Sequence, residues 1–384
     1  MINVLWLPSW YPTIESQQNG DFIYRHALAA SNFAKLAILF VQPSSKVDRL
    51  VERNFDINNN ISERVLLFPR LGRFRVFNFI ALLYLYNKEF KSLYKNGIHP
   101  NIIHVHVSFR AGLIALWLKR RYQIPYIITE HWSYFNKPGN LNYANSSFFI
   151  KWTIKKIFRK ADYILPVSND LSSHLKRFFP FINPIVVPNV VDPALFYLTK
   201  ACNNRREFKF IHVSSLNELK QPYKIVTAFE KIRYKYKRAV LEVVGPASSE
   251  LMEYVCELGL PKDSIVFYGL KEHEEVASLI REANAFVLYS TTENLPCVIL
   301  ESLCCGVPVI SSSVGGVPEM VDDSNGILVP PGDEEVLYKA MESMILNYDK
   351  YNRQRISEDA QAKYNPEVVG RQIVEVYEKV LKKK

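Results

Sequence analysis

Short, nearly continuous apolar runs alternate along this chain with stretches in which apolar residues recur every three or four positions. Ile2 to Leu7, Leu36 to Val41, Val65 to Phe68, Ile102 to Val107, Tyr126 to Thr129, Tyr163 to Val167 and Ile185 to Val187 are the runs of the first half. Unbroken apolarity over so few residues predicts strands buried on both faces, as in a parallel sheet. Asp21 to Asn32 and Ala111 to Arg121 carry helical spacing between them. The polar run Lys200-Ala-Cys-Asn-Asn-Arg-Arg-Glu207 interrupts this rhythm. It then restarts with Phe208 to Val213, Ala239 to Val244, Ile265 to Tyr268, Ala285 to Tyr289, Val307 to Ile310 and Ile327 to Val329. The pattern predicts two α/β domains in tandem with a cleft between them, each a parallel sheet covered by helices on both faces. The first covers 1–198 and the second 199–365; after Tyr364-Asn-Pro366 a last helix over 366–384 crosses back to the first.

Ligands of such sheets gather at the carboxyl ends of the strands, so the residues there are the candidates for chemistry. The first strand runs into Pro8-Ser-Trp-Tyr-Pro12 and then Asn19-Gly20-Asp21. Gly20 suits either a close approach to a phosphate or an ordinary turn into a helix. His104 and His106 lie at the end of the fourth strand, and Thr129-Glu130-His131 closes the fifth. In the second domain Ala285 to Tyr289 leads into Ser290-Thr-Thr-Glu293-Asn-Leu-Pro-Cys-Val-Ile-Leu-Glu301. Pro296 stands where a helix can begin and Gly306 where one can stop. Glu293 then lies in the loop and Glu301 about two turns into the helix. The two carboxylates therefore reach different parts of one site rather than facing each other.

Length and composition narrow the class. The chain has 384 residues, 48% hydrophobic and 22% charged, and no stretch with the bias of a disordered tail. Its net charge of +10 favours anionic partners. Cys202, Cys256, Cys297, Cys304 and Cys305 form no CxxC pair and no zinc spacing, and read as thiols in a reducing compartment. The amino terminus reads as a strand rather than a signal peptide. The longest apolar stretch, Val76 to Tyr86, falls well short of the ~20 residues that span a bilayer. These features predict a cytoplasmic protein, soluble or peripheral at the inner face of the plasma membrane.

Two stretches mix cations with large apolar residues. Arg70, Arg73, Arg75, Lys88, Lys91 and Lys95 surround Phe74, Phe77, Phe79, Ile80 and Leu82 to Leu85; the other stretch is Phe148-Phe-Ile-Lys151-Trp-Thr-Ile-Lys155-Lys-Ile-Phe-Arg159-Lys160. Each fits a helix lying on an anionic membrane, or an ordinary amphipathic helix with a solvated basic face.

The spacing Glu293-x7-Glu301 resembles the E-x7-E motif of the family 4 retaining glycosyltransferases, whose architecture is GT-B, with two Rossmann-like doubly wound domains. Its context is similar too: Cys305-Gly-Val-Pro-Val-Ile-Ser311, then Gly315-Gly316-Val-Pro-Glu319 and Gly326-Ile-Leu-Val-Pro downstream. Upstream, Ser168, Pro188-Asn189 with Asp192 and Phe196, Ile103-His-Val-His106 and Thr129-Glu130-His131 resemble the first-domain landmarks. The resemblance implies a nucleotide-sugar donor and a glycan or lipid-linked acceptor. Glu293 would hold the donor sugar's hydroxyls and Glu301 the ribose, with backbone N–H groups from Asn294, Leu295, Pro296 and Cys297 facing the diphosphate. His131 would be the active-site histidine, with His106 and Glu130 on the acceptor side and Gly20 approaching the donor from the first domain. The family's G-R-L-x-x-x-K run is Ser214-Ser215-Leu216-Asn-Glu-Leu-Lys220 here, which keeps the lysine and puts Ser215 in place of arginine. Val190 stands where the family's P-N-G-V-D segment often has glycine. No DxD-like pair follows a strand, and no metal or other cofactor is expected.

Rival classes fit less of the chain. No GxGxxG follows either domain's first strand, which removes the usual fingerprint of a dinucleotide-dependent oxidoreductase. A glycoside hydrolase needs two carboxylates across one bond. The basic residues are dispersed and form no nucleic-acid recognition module. A sugar-nucleotide epimerase of the same fold and a non-catalytic basic binding protein remain the alternatives.

Overall fold

A computed structural model describes residues 1–16, 18–58, 60–72, 75–136, 142–199 and 207–383. Lys200 to Arg206 with Cys202, the pair Arg73 and Phe74, and Lys384 lie outside the described residues. The chain divides into one unit of Met1–Val190 with Pro366–Lys384 and another of Val191–Asn365. The change comes at 190/191, ahead of the polar run expected to mark it. Val191 N–H donates to the Tyr364 carbonyl (2.9 Å) and Gln361 Nε2 to the Phe196 carbonyl (2.8 Å), which ties the intervening segment to the second unit.

The first unit is a seven-stranded sheet of β1 (Ile2–Pro8), β2 (Ala34–Ser44), β3 (Val51–Asn58), β4 (Ile61–Pro69), β5 (Ile102–His106), β6 (Tyr126–Glu130) and β7 (Tyr163–Pro166). Their spatial order is β3-β4-β2-β1-β5-β6-β7, parallel except for β3, which pairs antiparallel with β4. β5 and β6 are buried at every position, as their continuous apolar runs require. β3 went unpredicted because Val-Glu-Arg-Asn-Phe-Asp-Ile-Asn is the charged, alternating sequence of an edge strand, not an apolar run. Ile185 to Val187 forms no strand. It lies against β7 through Ile185 N–H to Ile164 O and Val187 N–H to Pro166 O (both 3.0 Å), and Pro184 and Pro188 close it off at either end. Helix Pro366–Leu381 packs on helix Asp21–Ser31 and belongs to this unit.

The second unit is a six-stranded, wholly parallel sheet of β8 (Phe208–Val213), β9 (Ala239–Val244), β10 (Ile265–Gly269), β11 (Ala285–Leu288), β12 (Val309–Ser312) and β13 (Gly326–Val329). Its order is β10-β9-β8-β11-β12-β13. β12 starts two residues later than its apolar run, because Val307 and Pro308 are still leaving the turn at Gly306, whose φ is +69°.

Each sheet reverses its winding once. In the first unit the chain moves outward from β1 on one side and from β5 on the other; in the second, from β8 and β11. The gap outside the carboxyl ends at such a reversal is where doubly wound sheets bind ligands. Both gaps hold predicted site residues. Among the described residues no helix is long and apolar enough to cross a membrane.

Candidate active site

In the second unit, β8 leads into Ser214 to Lys220 and β11 into Ser290 to Glu293, so the loops after two adjacent central strands converge. Thr291 N–H donates to Leu219 O (2.9 Å), joining them. Lys220 Nζ donates to Glu293 Oε1 and forms an ion pair with it, and Ser290 Oγ donates to the same oxygen at 2.7 Å. Glu293 is mostly buried and Lys220 only partly. The pair therefore offers a carboxylate and an ammonium side by side at the edge of the site. Gly315 fixes the loop: its φ is +54°, and a Cβ there would lie 1.9 Å from the Glu293 carbonyl oxygen. Gly316 N–H donates to Asn294 O at 2.8 Å.

Pro296 is the residue just before the helix, which runs Cys297–Cys304. Glu301, 2% exposed, is thus little more than one turn into the helix rather than two. Pro296 has no N–H, so of the four residues expected to face a diphosphate only Asn294, Leu295 and Cys297 carry backbone donors. Leu295 and Pro296 are buried, while Asn294 and Cys297 are partly open. Ser215 Oγ accepts from Asn217 Nδ2 (3.0 Å), and its hydroxyl supplies none of the charge an arginine would. Cys304 and Cys305 are fully buried core residues, and burial pushes the Cys305 thiol up to about 12. Asp322 and Asp323 are exposed in their turn.

The first unit builds its site from histidines. His106 ends β5 and His131 follows β6; His106 Nδ1 and His131 Nε2 are hydrogen-bonded at 3.2 Å. Sequence reasoning missed the third ring, His26, on helix Asp21–Ser31, which lies 5.3 Å from the His131 ring and 6.0 Å from that of His106. Its signal was available as the Arg25-His26 step on a helix that begins at the sheet's carboxyl edge. His26 Nε2 can only donate to the Pro188 carbonyl (2.8 Å), which leaves Nδ1 as a bare acceptor. His104, one strand position pair away, bonds Tyr377 OH (2.6 Å) and Thr129 Oγ1 (2.7 Å), and Trp6 stacks on His106 at 4.2 Å. Burial pushes His26 down to about 4 and holds His104, His106 and His131 well below the ordinary imidazole range, with repulsion among the rings adding to it. At neutral pH the cluster is uncharged.

Glu130 is fully buried, and its oxygens accept from His131 N–H (3.1 Å), Trp132 N–H (3.0 Å) and Ser108 N–H (3.1 Å). With three backbone donors on one carboxylate, its work is to hold the loop that carries His131. Gly20, with φ +78°, leaves no room for a Cβ, which would sit 2.6 Å from the Trp10 carbonyl. The space it frees is filled by the chain's own backbone. His26, His106 and His131 could each offer a ring nitrogen within 4.8 Å of the others. Zinc held at about 2.0–2.1 Å would draw such nitrogens to roughly 3.3–3.5 Å apart, and the His106–His131 hydrogen bond already engages one nitrogen of each of these rings.

Residues 38–195 match the family described as Glycosyltransferase Family 4, and residues 200–363 the family described as Glycosyl transferases group 1. The chain belongs to the family 4 glycosyltransferases. The matched relatives include an uncharacterized glycosyltransferase of Methanocaldococcus jannaschii, 27% identical over 284 residues, which are 73% of this glycosyltransferase and 74% of the relative. The putative teichuronic acid biosynthesis glycosyltransferase TuaC of Bacillus subtilis is 26% identical over 65% of this chain and 63% of its own. Alpha-monoglucosyldiacylglycerol synthase of Streptococcus pneumoniae is 23% identical over 72% and 66% respectively. The match thus spans just under two thirds of the length of these last two. Sucrose-phosphate synthase of Thermosynechococcus elongatus superposes with a TM-score of 0.79 at 20% identity, covering 100% of both chains. Anabaena HepE, solved with UDP-glucose, gives 0.71 at 16% identity over 99% of this chain and 100% of that one. These likenesses show the GT-B fold.

Proposed function

We propose that this glycosyltransferase is a retaining enzyme that moves a hexose-type sugar from a nucleotide-sugar donor to a hydroxyl of a glycan or lipid-linked acceptor, in the biosynthesis of cell-surface polysaccharide or lipopolysaccharide. The Lys220–Glu293 pair carries the reading. A carboxylate that can take two hydroxyl hydrogens and an ammonium that can meet a phosphate stand together at a sheet's reversal point, beside a helix start. When the donor arrives, the ammonium turns to the diphosphate and Glu293 to the sugar, with Ser290 keeping its hold on one carboxylate oxygen. Glu301, one turn into the helix, takes the ribose, and the N–H groups of Asn294, Leu295 and Cys297 face the diphosphate. The names of TuaC and of the glycolipid synthase support the polysaccharide or glycolipid setting, and the HepE complex supports a nucleotide-sugar donor.

In the reaction the bond from the anomeric carbon to the diphosphate oxygen breaks, and a bond to the acceptor oxygen forms on the same face. The acceptor's proton passes to the leaving phosphate oxygen. Lys220 and the helix start offset the charge that develops there. His131, uncharged and buried, orients the donor sugar by hydrogen bonding; a neutral ring does this without competing for the departing phosphate. Among the described residues Cys256, Cys297, Cys304 and Cys305 form no disulfide, which fits a reducing, cytoplasmic setting.

A thermal-shift screen of UDP, GDP and ADP sugars tests the reading, because a donor that binds only the folded state raises the melting temperature. One nucleotide should stand out, and Glu301→Ala should weaken its binding about tenfold, or roughly 1.4 kcal/mol, by calorimetric titration. Wild-type affinity in that variant would remove the ribose assignment. A converted nucleotide sugar formed without any acceptor would favour an epimerase instead.

A further inference from the structure

We propose that the carboxyl-edge surface of the first unit docks on an anionic lipid bilayer through the amino-terminal halves of two helices, Arg75–Lys95 and Phe148–Lys160. The inference rests on the glycosyltransferase reading only in that it brings a lipid-linked acceptor to the site. Both helices follow a strand of the parallel sheet, β4 and β6, and lead back to the next, β5 and β7. Each therefore begins at the carboxyl edge, where His106 and His131 lie.

The two helices share a layout that neither packing nor solubility explains. In Phe148–Lys160 the outward stripe begins with Phe148 (83% exposed), Phe149 (69%) and Trp152 (49%) and continues with Lys155, Lys156, Arg159 and Lys160. The buried stripe is Thr153, Ile154, Ile157 and Phe158, so the three exposed aromatics are additional to those that the core needs. The helix carries five cations and no acid. In Arg75–Lys95 the exposed residues of the first half are Val76, Phe77, Phe79, Ile80, Leu83 and Tyr84, and Lys88, Lys91 and Lys95 follow in the second. The one acid there, Glu89, is buried against Arg64 (3.0 Å) and does not face outward. Apolar residues at the carboxyl edge and cations behind them are thus arranged twice.

The two helices lie in one layer. Helix Ser108–Tyr122 sits between them, packed on Phe148–Lys160 and touching Arg75–Lys95 through the Phe90 and Tyr122 rings at 4.8 Å. The two apolar clusters therefore stand apart on one edge, with a helix between them. A pair of anchors so spaced fixes an orientation on a surface, which a single anchor does not. Large apolar groups sink into the headgroup boundary while lysine and arginine meet anionic headgroups, each worth a share of the binding that salt removes. Lys156 over the Trp152 ring (4.4 Å) and Arg159 over the Phe181 ring (5.2 Å) already pair the two kinds of group. A second protein would need an acidic, complementary surface; a second copy of this chain brings the same +10.

Flotation with phosphatidylglycerol vesicles, beside phosphatidylcholine vesicles as the neutral control, tests the surface. The protein should float with the anionic vesicles at about 0.1 M salt and lose at least tenfold of that binding at about 0.5 M. Phe148→Ser with Phe149→Ser and Trp152→Ser should lose tenfold or more, and so should Phe77→Ser with Ile80→Ser. All five positions are exposed, and an unchanged melting temperature shows that the variants fold. The same variants should release sugar from the donor to water or to a water-soluble acceptor at the parent rate, so loss of docking is read separately from loss of transfer. No flotation at low salt, equal flotation of the variants, or a dimer in light scattering that the substitutions dissociate would each overturn the proposal.

Discussion

The two units place their candidate residues at the same point of the same kind of sheet and fill it with opposite chemistry. At the reversal between β8 and β11 stand an ammonium and two carboxylates, Lys220, Glu293 and Glu301. At the reversal between β1 and β5 stand neutral imidazoles packed against Trp6 and one another. The backbone is held alike in both. A β-branched or bulky residue with positive φ follows the central strand in each, Val107 (+65°) after β5 and Leu216 (+50°) after β8, a conformation that costs on the order of 1–3 kcal/mol and survives only where its surroundings impose it. Ser9 helps impose the first: its hydroxyl donates to Val107 O (2.7 Å) and accepts from Ala111 N–H (3.2 Å). The lesson is that one scaffold geometry can serve a charged ligand in one unit and an uncharged one in the other, because the choice is made by a few side chains at the strand ends. In the proposed function the charged diphosphate goes to the second unit and neutral hydroxyls to the first.

Acidification should separate the units most. An unfolded histidine takes up a proton as pH falls through about 6.5, whereas the buried rings resist, His26 and His212 until about 4. Over that window the unfolded chain binds more protons, so stability is full above it and falls with falling pH, by about 1.4 kcal/mol per pH unit for each ring. The first unit has four such rings, His26, His104, His106 and His131; the second has His212 alone. Buried carboxyls with raised values act in the opposite sense, and there is one in each, Glu130 and Glu242, so they leave the difference in place. Between about pH 7.5 and 5.5 the first unit, with four such rings against one, should therefore lose more stability than the second. Hydrogen exchange, corrected for intrinsic rate and read on β5–β6 and on β8–β11, would show it; parallel losses in both would mean the histidine cluster is not what distinguishes them.

The charged site breaks differently. Glu293→Gln keeps the shape and removes the charge that Lys220 binds and that the proposed function gives to a sugar hydroxyl, and turnover should fall about 10- to 100-fold, or roughly 1.5–3 kcal/mol. His131→Gln, which keeps a neutral hydrogen-bonding group in place, should cost less than that, about fivefold. If His131→Gln were the more damaging of the two, the imidazole would be acting through its charge, and the neutral reading of the first unit would fail.

Much of this was legible in the chain before folding. The parallel strands announced themselves as apolar runs, and the E-x7-E spacing pointed to a loop and helix that the structure does place after a central strand, because the two follow one another in sequence. What was hidden was whatever depended on residues far apart. His26 joins His106 and His131 only because helix Asp21–Ser31, which follows β1, carries its ring to theirs, and Tyr377 reaches His104 from 273 positions away. Glu130 looked like a ligand group because a carboxylate beside a histidine often is one; its three backbone donors belong to turns that no spacing rule reveals. β3 was missed for a local reason, since an edge strand protects itself with charge and so loses the apolar signature.

Tyr377→Phe is the gentlest way to test whether the histidine cluster is held as a unit. The hydroxyl lies 2.6 Å from His104 Nδ1, both residues are fully buried, and Thr129 Oγ1 occupies the other ring nitrogen at 2.7 Å. Removing the hydroxyl deletes no ring volume and leaves His104 with one buried polar atom unpaired, which costs about 1–2 kcal/mol. For a unit of this size that corresponds to a melting shift of about 2–8 °C. Ser214→Ala is the matching change in the second unit, where Ser214 Oγ bonds His212 Nε2 at 2.8 Å while Nδ1 keeps the Val287 carbonyl. It should cost less, because Ser214 is only partly buried and water can take the hydroxyl's place. Tyr377→Phe should also weaken the contact of helix Pro366–Leu381 with the sheet, so exchange protection should fall in that helix first. Equal melting shifts for the two variants, with the helix unaffected, would mean that His104 is supported by packing alone.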